Sequence, residues 1–156
     1  MNSIALEQIE TLLPLACAWA KEQEGIILES GIALEEWQVL DARLVGVAHP
    51  ERVRLQRVRQ IPLPSDPALA AAITAAGVIS AVTSGLTMRY GVFIADQCWG
   101  LRHIIVHQLA HVMQYERLGG FDGFFRSYLS ECIKAPGYPY GPMEQEAFAV
   151  SVKLCG

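Results

Sequence analysis

An α+β fold is predicted by three features of the sequence: apolar residues at helical spacing towards both ends, a central run with a period of two, and a β-branched stretch leading into a long helical segment. The chain has 156 residues, the size of one domain and enough to bury a core without disulfides. Its 52% hydrophobic and 18% charged residues exclude a disordered chain. A formal charge of -4 argues against general affinity for nucleic acid or anionic membranes. One domain over 1–156 is expected, with a helical N-terminal part to about residue 50 and a functional part from about 86 to 156.

Ile4, Leu6, Ile9, Leu12, Leu13, Ala16 and Ala20 predict a helix to about Glu29, with Pro14 kinking or dividing it and Gly25 and Gly31 marking its end. A second helix is expected over Leu34–Val45, its apolar residues Leu34, Trp37, Leu40, Ala42, Leu44 and Val45 mostly facing one way before Gly46 and Pro50. Arg52–Arg59 alternates basic and apolar residues and predicts a half-buried strand. Its arginines have no interleaved aromatics, so they read as a solvated outer face, not a nucleic-acid stripe. Asp66 and Pro67 suit the start of an alanine-rich helix to Ala76, and Gly77 suits its end.

Leu86–Ala95 reads as one or two strands. Asp96 can cap the next helix, which runs to about Leu118 and ends at Gly119-Gly120. Two more helices follow, Asp122–Lys134 and Pro142 to about Leu154, joined by the loop APGYPYGP with Tyr138 and Tyr140. Cys17, Cys98, Cys132 and Cys155 form no C-x-x-C pair and read as free thiols. The N-terminal region carries the signature of neither a signal peptide nor a membrane span, which leads to the expectation of a cytoplasmic protein.

The helix through LRHIIVHQLAHVMQYERL carries the chemistry. His107 and His111 are four residues apart, so both imidazoles lie on one face, close enough to share a metal ion. His103 extends the stripe, but eight helical residues separate it from His111 by ~12 Å. Two nitrogens on one zinc ion are no more than about 4 Å apart, so His103 is not expected to be a ligand. Zinc, one ion, is favoured by the donor type, although two imidazoles and a carboxylate also suit iron. The third ligand must come from another element, and Glu144 and Glu146 in the first turn of the last helix are the candidates. Zinc sites of the His-Glu-x-x-His type use the glutamate to take a proton from water; here that position is Gln108, whose amide cannot accept a proton near neutral pH.

The order His107-x-x-x-His111 followed by Glu144-x-Glu146-Ala147 resembles the gluzincin branch of the zincin metallopeptidases, and the segment from about Leu86 onward resembles small bacterial gluzincin-like proteins. The resemblance implies a zincin-like fold, with a small mixed or antiparallel sheet packed on the metal helix and C-terminal helices closing the cleft. It selects Glu144 over Glu146 as third ligand and implies that Leu86–Ala95 supplies an edge that receives an extended peptide. The chain departs from the family at Gln108, and at Phe148, where some relatives carry an aspartate that steadies a histidine ligand. Two functions follow as expectations. One is a zinc-dependent peptidase scaffold acting on a peptide or protein substrate, with Gln108 only able to orient water and Tyr138 or Tyr140 stabilising the oxyanion. The other is a non-catalytic relative that binds a peptide or protein partner in the same cleft.

Overall fold

The computed structural model describes residues 3–156; the side chains of Ile4 and Leu6 lie outside what it describes. The first helix, α1 (Ser3–Ser30), runs unbroken through Pro14 and Gly25, where a kink or division was expected. Pro14 lies on the exposed face, so its ring points to water. Its missing N–H costs one ladder bond, while Leu12, Leu13, Ala16, Ala20 and Ile27 bury the opposite face and hold the helix together.

A short strand, β1 (Ile32–Ala33), leads to α2 (Glu36–Val45). The expected apolar stripe of α2 turns inward only in part: Ala42 is buried and Leu34 and Val45 pack against the core, but Trp37, Leu40 and Leu44 are exposed and the polar Gln38 and Asp41 are buried. The buried Asp41 takes both ends of the Arg102 guanidinium at 2.8 Å, which supplies the partners that its carboxylate needs inside the protein. The arginine-rich segment forms β2 (Arg54–Val58), with Arg52, Arg57 and Arg59 exposed and Arg54 half-buried. Next comes α3 (Pro67–Ala76), where Asp66 accepts from the Leu69 N–H at 2.9 Å and Gly77 closes the helix at φ 79°.

Two strands, β3 (Gly85–Met88) and β4 (Gly91–Ala95), follow. The sheet has the order β1-β2-β4-β3 and is mixed, β2 and β4 running parallel and the other pairs antiparallel. The edges are β1 and β3, and β3 is the one that packs against α4. The β4 half of the expected peptide-receiving edge is interior, paired on both sides and buried at every residue, which is why GVFIA is continuously apolar and does not alternate. The β3–β4 turn places Arg89 at φ 60°, held by Glu24 of α1, which accepts from Arg89 at 2.7 and 2.8 Å and from the Tyr90 N–H at 3.0 Å.

Asp96 does not cap the long helix. It starts a 3-10 turn (Asp96–Cys98) and pairs with Arg57 at 3.0 Å, while α4 spans Arg102–Arg117. The expected glycine turn follows, with Gly119 and Gly120 at φ 84° and 120°, and then α5 (Phe121–Ile133) and α6 (Pro142–Cys155). On one face of the sheet Val53, Leu55, Val92 and Ile94 pack on Ile105, Leu109 and Val112 of α4. A second cluster joins Phe93 and Met88 to Ile27 of α1, Tyr115, and Phe124 and Tyr128 of α5. Between these clusters α4 is fixed against both the sheet and α6. Among the described residues no helix is long and apolar enough to cross a membrane.

Candidate metal centre

His107 and His111, one turn apart on α4, hold their ring centroids 5.0 Å apart. From α6, Glu144 comes between them, with His107 Nε2 at 2.8 Å from its Oε1 and His111 Nε2 at 3.0 Å from its Oε2. The placement of Glu144 follows from local chemistry. Pro142 opens α6, and Glu131 of α5 accepts from the Met143 N–H at 2.8 Å, capping the helix where Gly141 offers no side chain. Glu144 is then carried in the first turn, facing α4 and buried.

The donor set fits a divalent transition metal. One ligand atom from each of His107, His111 and Glu144 lies within 4.8 Å of the others, two imidazoles and a carboxylate being a catalytic-type zinc set that leaves a coordination position open. The 2.8 and 3.0 Å contacts are slightly shorter than the ~3.3 Å between neighbouring donors on a tetrahedral ion, so a small opening of the three side chains admits one.

Around these three, the polar groups are matched. Burial opposes the charge on Glu144, but hydrogen bonds from His107, His111 and Tyr128 outweigh it and hold the carboxyl well below the usual range. Tyr128 of α5 donates to Glu144 Oε2 at 2.5 Å, and burial followed by the nearby carboxylate pushes its phenol well up, so it stays a donor. Burial alone would lower the pKa of His111; contacts with Glu144 and Gln114 reverse this and raise it. Behind His111, Gln114 meets Nδ1 at 2.7 Å and donates to Glu146 Oε1 at 2.7 Å. Glu146 in turn takes both ends of Arg117 at 2.8 and 2.9 Å.

Of the two carboxylates the sequence left open, Glu144 meets the imidazoles and Glu146 meets Gln114 and Arg117. His103 is exposed, and its main-chain oxygen accepts from Ser151 at 3.1 Å. Phe148 packs its ring against His107 at 4.6 Å between centroids, a contact with no hydrogen bond in place of the one an aspartate would give. Comparison of the chain with protein-family models, curated proteins and solved structures gives no match. The centre is therefore read from its own geometry.

Gln108 points from α4 towards β3. Its side chain is buried, the Thr87 hydroxyl lies 2.8 Å from its Oε1, and its NH₂ lies towards Gly85. A Cβ at Gly85 would stand 2.9 Å from the Phe93 carbonyl and 3.1 Å from Gln108 Nε2, so this close approach requires glycine. A cavity of about 70 Å³, room for a few waters or one small group, opens beside the centre. Apart from the three cluster residues, Gln108 and Thr87, its walls are mainly apolar, drawn from Trp19, Val78, Ile79, Met88, Phe125 and Leu129. Tyr138 also lines it, its phenol raised to about 12 by burial and then by Glu144. Tyr140 does not: it is 63% exposed and belongs to an outer surface groove. Sequence reasoning passed over Tyr128, Gln114 and Thr87. Gln114, three residues after His111 on the same helical face, had a spacing that could have revealed it.

Proposed function

We propose that the chain is a zinc-binding, gluzincin-type metallopeptidase scaffold whose hydrolytic power is impaired by Gln108. The observation that supports it most is the buried Glu144 carboxylate bridging two imidazoles on one face of α4 at 2.8 and 3.0 Å. His107, His111 and Glu144 would hold the ion, which when bound supplies Lewis acidity towards a carbonyl and lowers the pKa of water. The chain's own residues supply the rest. The free side of β3 can pair with an extended peptide by main-chain hydrogen bonds, and the apolar cavity beside it can take one small side chain. Tyr138, which lines the cavity, is the phenol we assign to donate to a developing oxyanion; the exposure of Tyr140 does not suit that role. Gln108 can orient water but cannot take its proton.

A specific observation favours a second reading, a non-catalytic protein that binds a peptide or protein partner in this cleft. The titratable groups lining the cavity are His107, His111, Glu144, Tyr128 and Tyr138, so among the described residues no carboxylate besides Glu144 lines it to replace the missing base. One substitution separates the two. In Gln108→Glu the Thr87 hydroxyl can still donate to one oxygen, leaving the oxygen at the present Nε2 position to accept a proton. General-base catalysis is worth ~10²–10⁴ in rate, so cleavage of a fluorogenic peptide library with zinc present should rise by about that factor at unchanged zinc content. A zinc-loaded Gln108→Glu protein that cleaves nothing would leave the binding reading.

A further inference from the structure

We infer that Gln114 is a positioning residue that locks the tautomer of His111, anchored from the surface by Glu146 and Arg117, so that the Nε2 lone pair is presented to a divalent cation. The inference rests on the metal-centre reading above and concerns residues outside the three-residue cluster.

The direction of every hydrogen bond in this chain of residues can be deduced. Gln114 is fully buried, so its amide must be satisfied within the protein. It has three partners: the Met143 main-chain oxygen at 2.9 Å, Glu146 Oε1 at 2.7 Å and His111 Nδ1 at 2.7 Å. A carbonyl and a carboxylate only accept, so the two hydrogens of the Gln114 NH₂ go to Met143 and Glu146, one each. The remaining atom, Gln114 Oε1, also only accepts. His111 must therefore carry a proton on Nδ1, which leaves Nε2 as the ligand atom: with no cation bound it donates to Glu144 at 3.0 Å, and a cation that displaces that one proton takes up its lone pair. A ring without this partner could keep its last proton on Nε2, where it would stand in the way of a cation.

The anchor keeps the amide from turning over. Both Arg117 nitrogens reach Glu146, a two-point contact that fixes the carboxylate plane, and Glu146 then offers Oε1 to Gln114. A half-turn of the Gln114 side chain would set its carbonyl against the Met143 carbonyl and the Glu146 carboxylate, two repulsive contacts in a dry site. The lock thus joins three residues of α4 to the first turns of α6.

A merely structural role for Gln114, pinning α4 to α6, makes the opposite prediction for one variant. Gln114→Met removes the acceptor for Nδ1. Gln114→Glu keeps an acceptor there but turns both donor contacts into repulsive ones. Zinc affinity of the full chain, measured by competition with a chromophoric chelator, should fall ~10–100-fold in Gln114→Met and stay within a few-fold of the parent in Gln114→Glu. Thermal stability should run the other way, with Gln114→Glu the less stable of the two. In the zinc-loaded parent, long-range ¹H–¹⁵N spectra should show a slowly exchanging His111 Nδ1–H, and this proton should exchange faster in Gln114→Met. Should Gln114→Met fail to fold, Arg117→Met loosens the anchor without touching His111, and the same proton should exchange faster with a smaller loss of affinity. Unaltered zinc affinity in Gln114→Met, or affinities that simply follow stability, would overturn the lock while leaving the metal centre standing. A parent that binds no zinc would remove both.

Discussion

The wall of the centre made by α6 and the wall made by β3 treat the same stretch of α4 differently. Towards α6, the carboxylate that meets the imidazoles is itself bonded by Tyr128, and His111 is backed by Gln114, Glu146 and Arg117. Towards β3, a single hydroxyl from Thr87 meets a neutral amide, and the wall beyond is apolar. On the proposed function, holding an ion and moving a proton would thus fall to separate surfaces. The side facing α6 depends on helix packing at many points, whereas on the side facing β3 the proposed proton acceptor would be one side chain, at position 108. The first can persist while the second is absent, a division consistent with ligand sets needing support from surrounding groups.

The largest effects should fall on the α6 side. His111→Ala or Glu144→Ala should abolish stoichiometric zinc binding, whereas Gln108→Ala should retain it; elemental analysis of each purified variant makes the comparison. Retention of zinc by His111→Ala would break the assignment of roles to the two walls. The gain of activity expected for Gln108→Glu is the matching experiment on the β3 side.

A smaller effect is expected from Tyr128→Phe. It removes a donor from a buried carboxylate while preserving the ring that stacks on Phe124 at 5.3 Å. A hydrogen bond to a charged group contributes about 1.5–3 kcal/mol, so the metal-free variant should lose stability of that order in a denaturant titration. A loss no greater than that of an exposed control such as Tyr140→Phe would mean that the α6 wall is less closely matched than its distances indicate.

Smaller still is a pH effect at the surface end of the same wall. Arg117 first, with Gln114 assisting and partial burial opposing, holds the Glu146 carboxyl below its ordinary value. A carboxyl depressed in the folded state binds fewer protons there than in the unfolded chain. Its contribution is therefore present above the unfolded pKa of ~4.3 and is lost as pH falls through the folded value. The pair is partly exposed, at 49% and 37%, so solvent screens it and the contribution is modest. Arg117→Met should reduce the loss of stability between roughly pH 5 and 3 relative to the parent. Identical slopes would show that the pair does not couple to folding.

What the sequence disclosed follows the range of the forces involved. The i, i+4 pair His107 and His111, the Asp66 cap and the Gly119-Gly120 turn are local, and their geometry follows from spacing alone. Glu144 needed the resemblance, because nothing local distinguishes it from Glu146 two residues on; the difference is which neighbour each meets across a helix interface. The same limit explains the errors. Periodicity on α2 marked Ala42 and Val45, which do meet the core, but carried no sign that Asp41 would be buried against Arg102, 61 residues later. Asp96 had the chemistry of a cap, yet Arg57 from β2 claims its carboxylate and the helix begins six residues later. Pro14 by itself has the chemistry of a helix breaker, and only the buried contacts along α1 carry the helix past it. Tyr128 was missed because its partner Glu144 lies on α6, brought near only by packing; for Gln114 the spacing to His111 was local, and only its partners Met143 and Glu146 lie on α6.

The smallest expected effect tests the boundary of the centre itself. His103 shares the stripe of His107 and His111, and by sequence pattern alone the three look equivalent. In the fold they are not. His103 is exposed near the start of α4 and takes part through its main-chain oxygen, which accepts from Ser151 of α6. Alanine preserves that oxygen and is the better helix former, so the contact between α4 and α6 should survive. His103→Ala should leave zinc stoichiometry and affinity at the parent values in the chelator competition, with stability changed by no more than about 0.5 kcal/mol, as for other surface substitutions. A tenfold loss of affinity would place His103 within reach of the ion. That would require α4 to depart from helical geometry between residues 103 and 111, and the division between the two walls would have to be redrawn around a wider site.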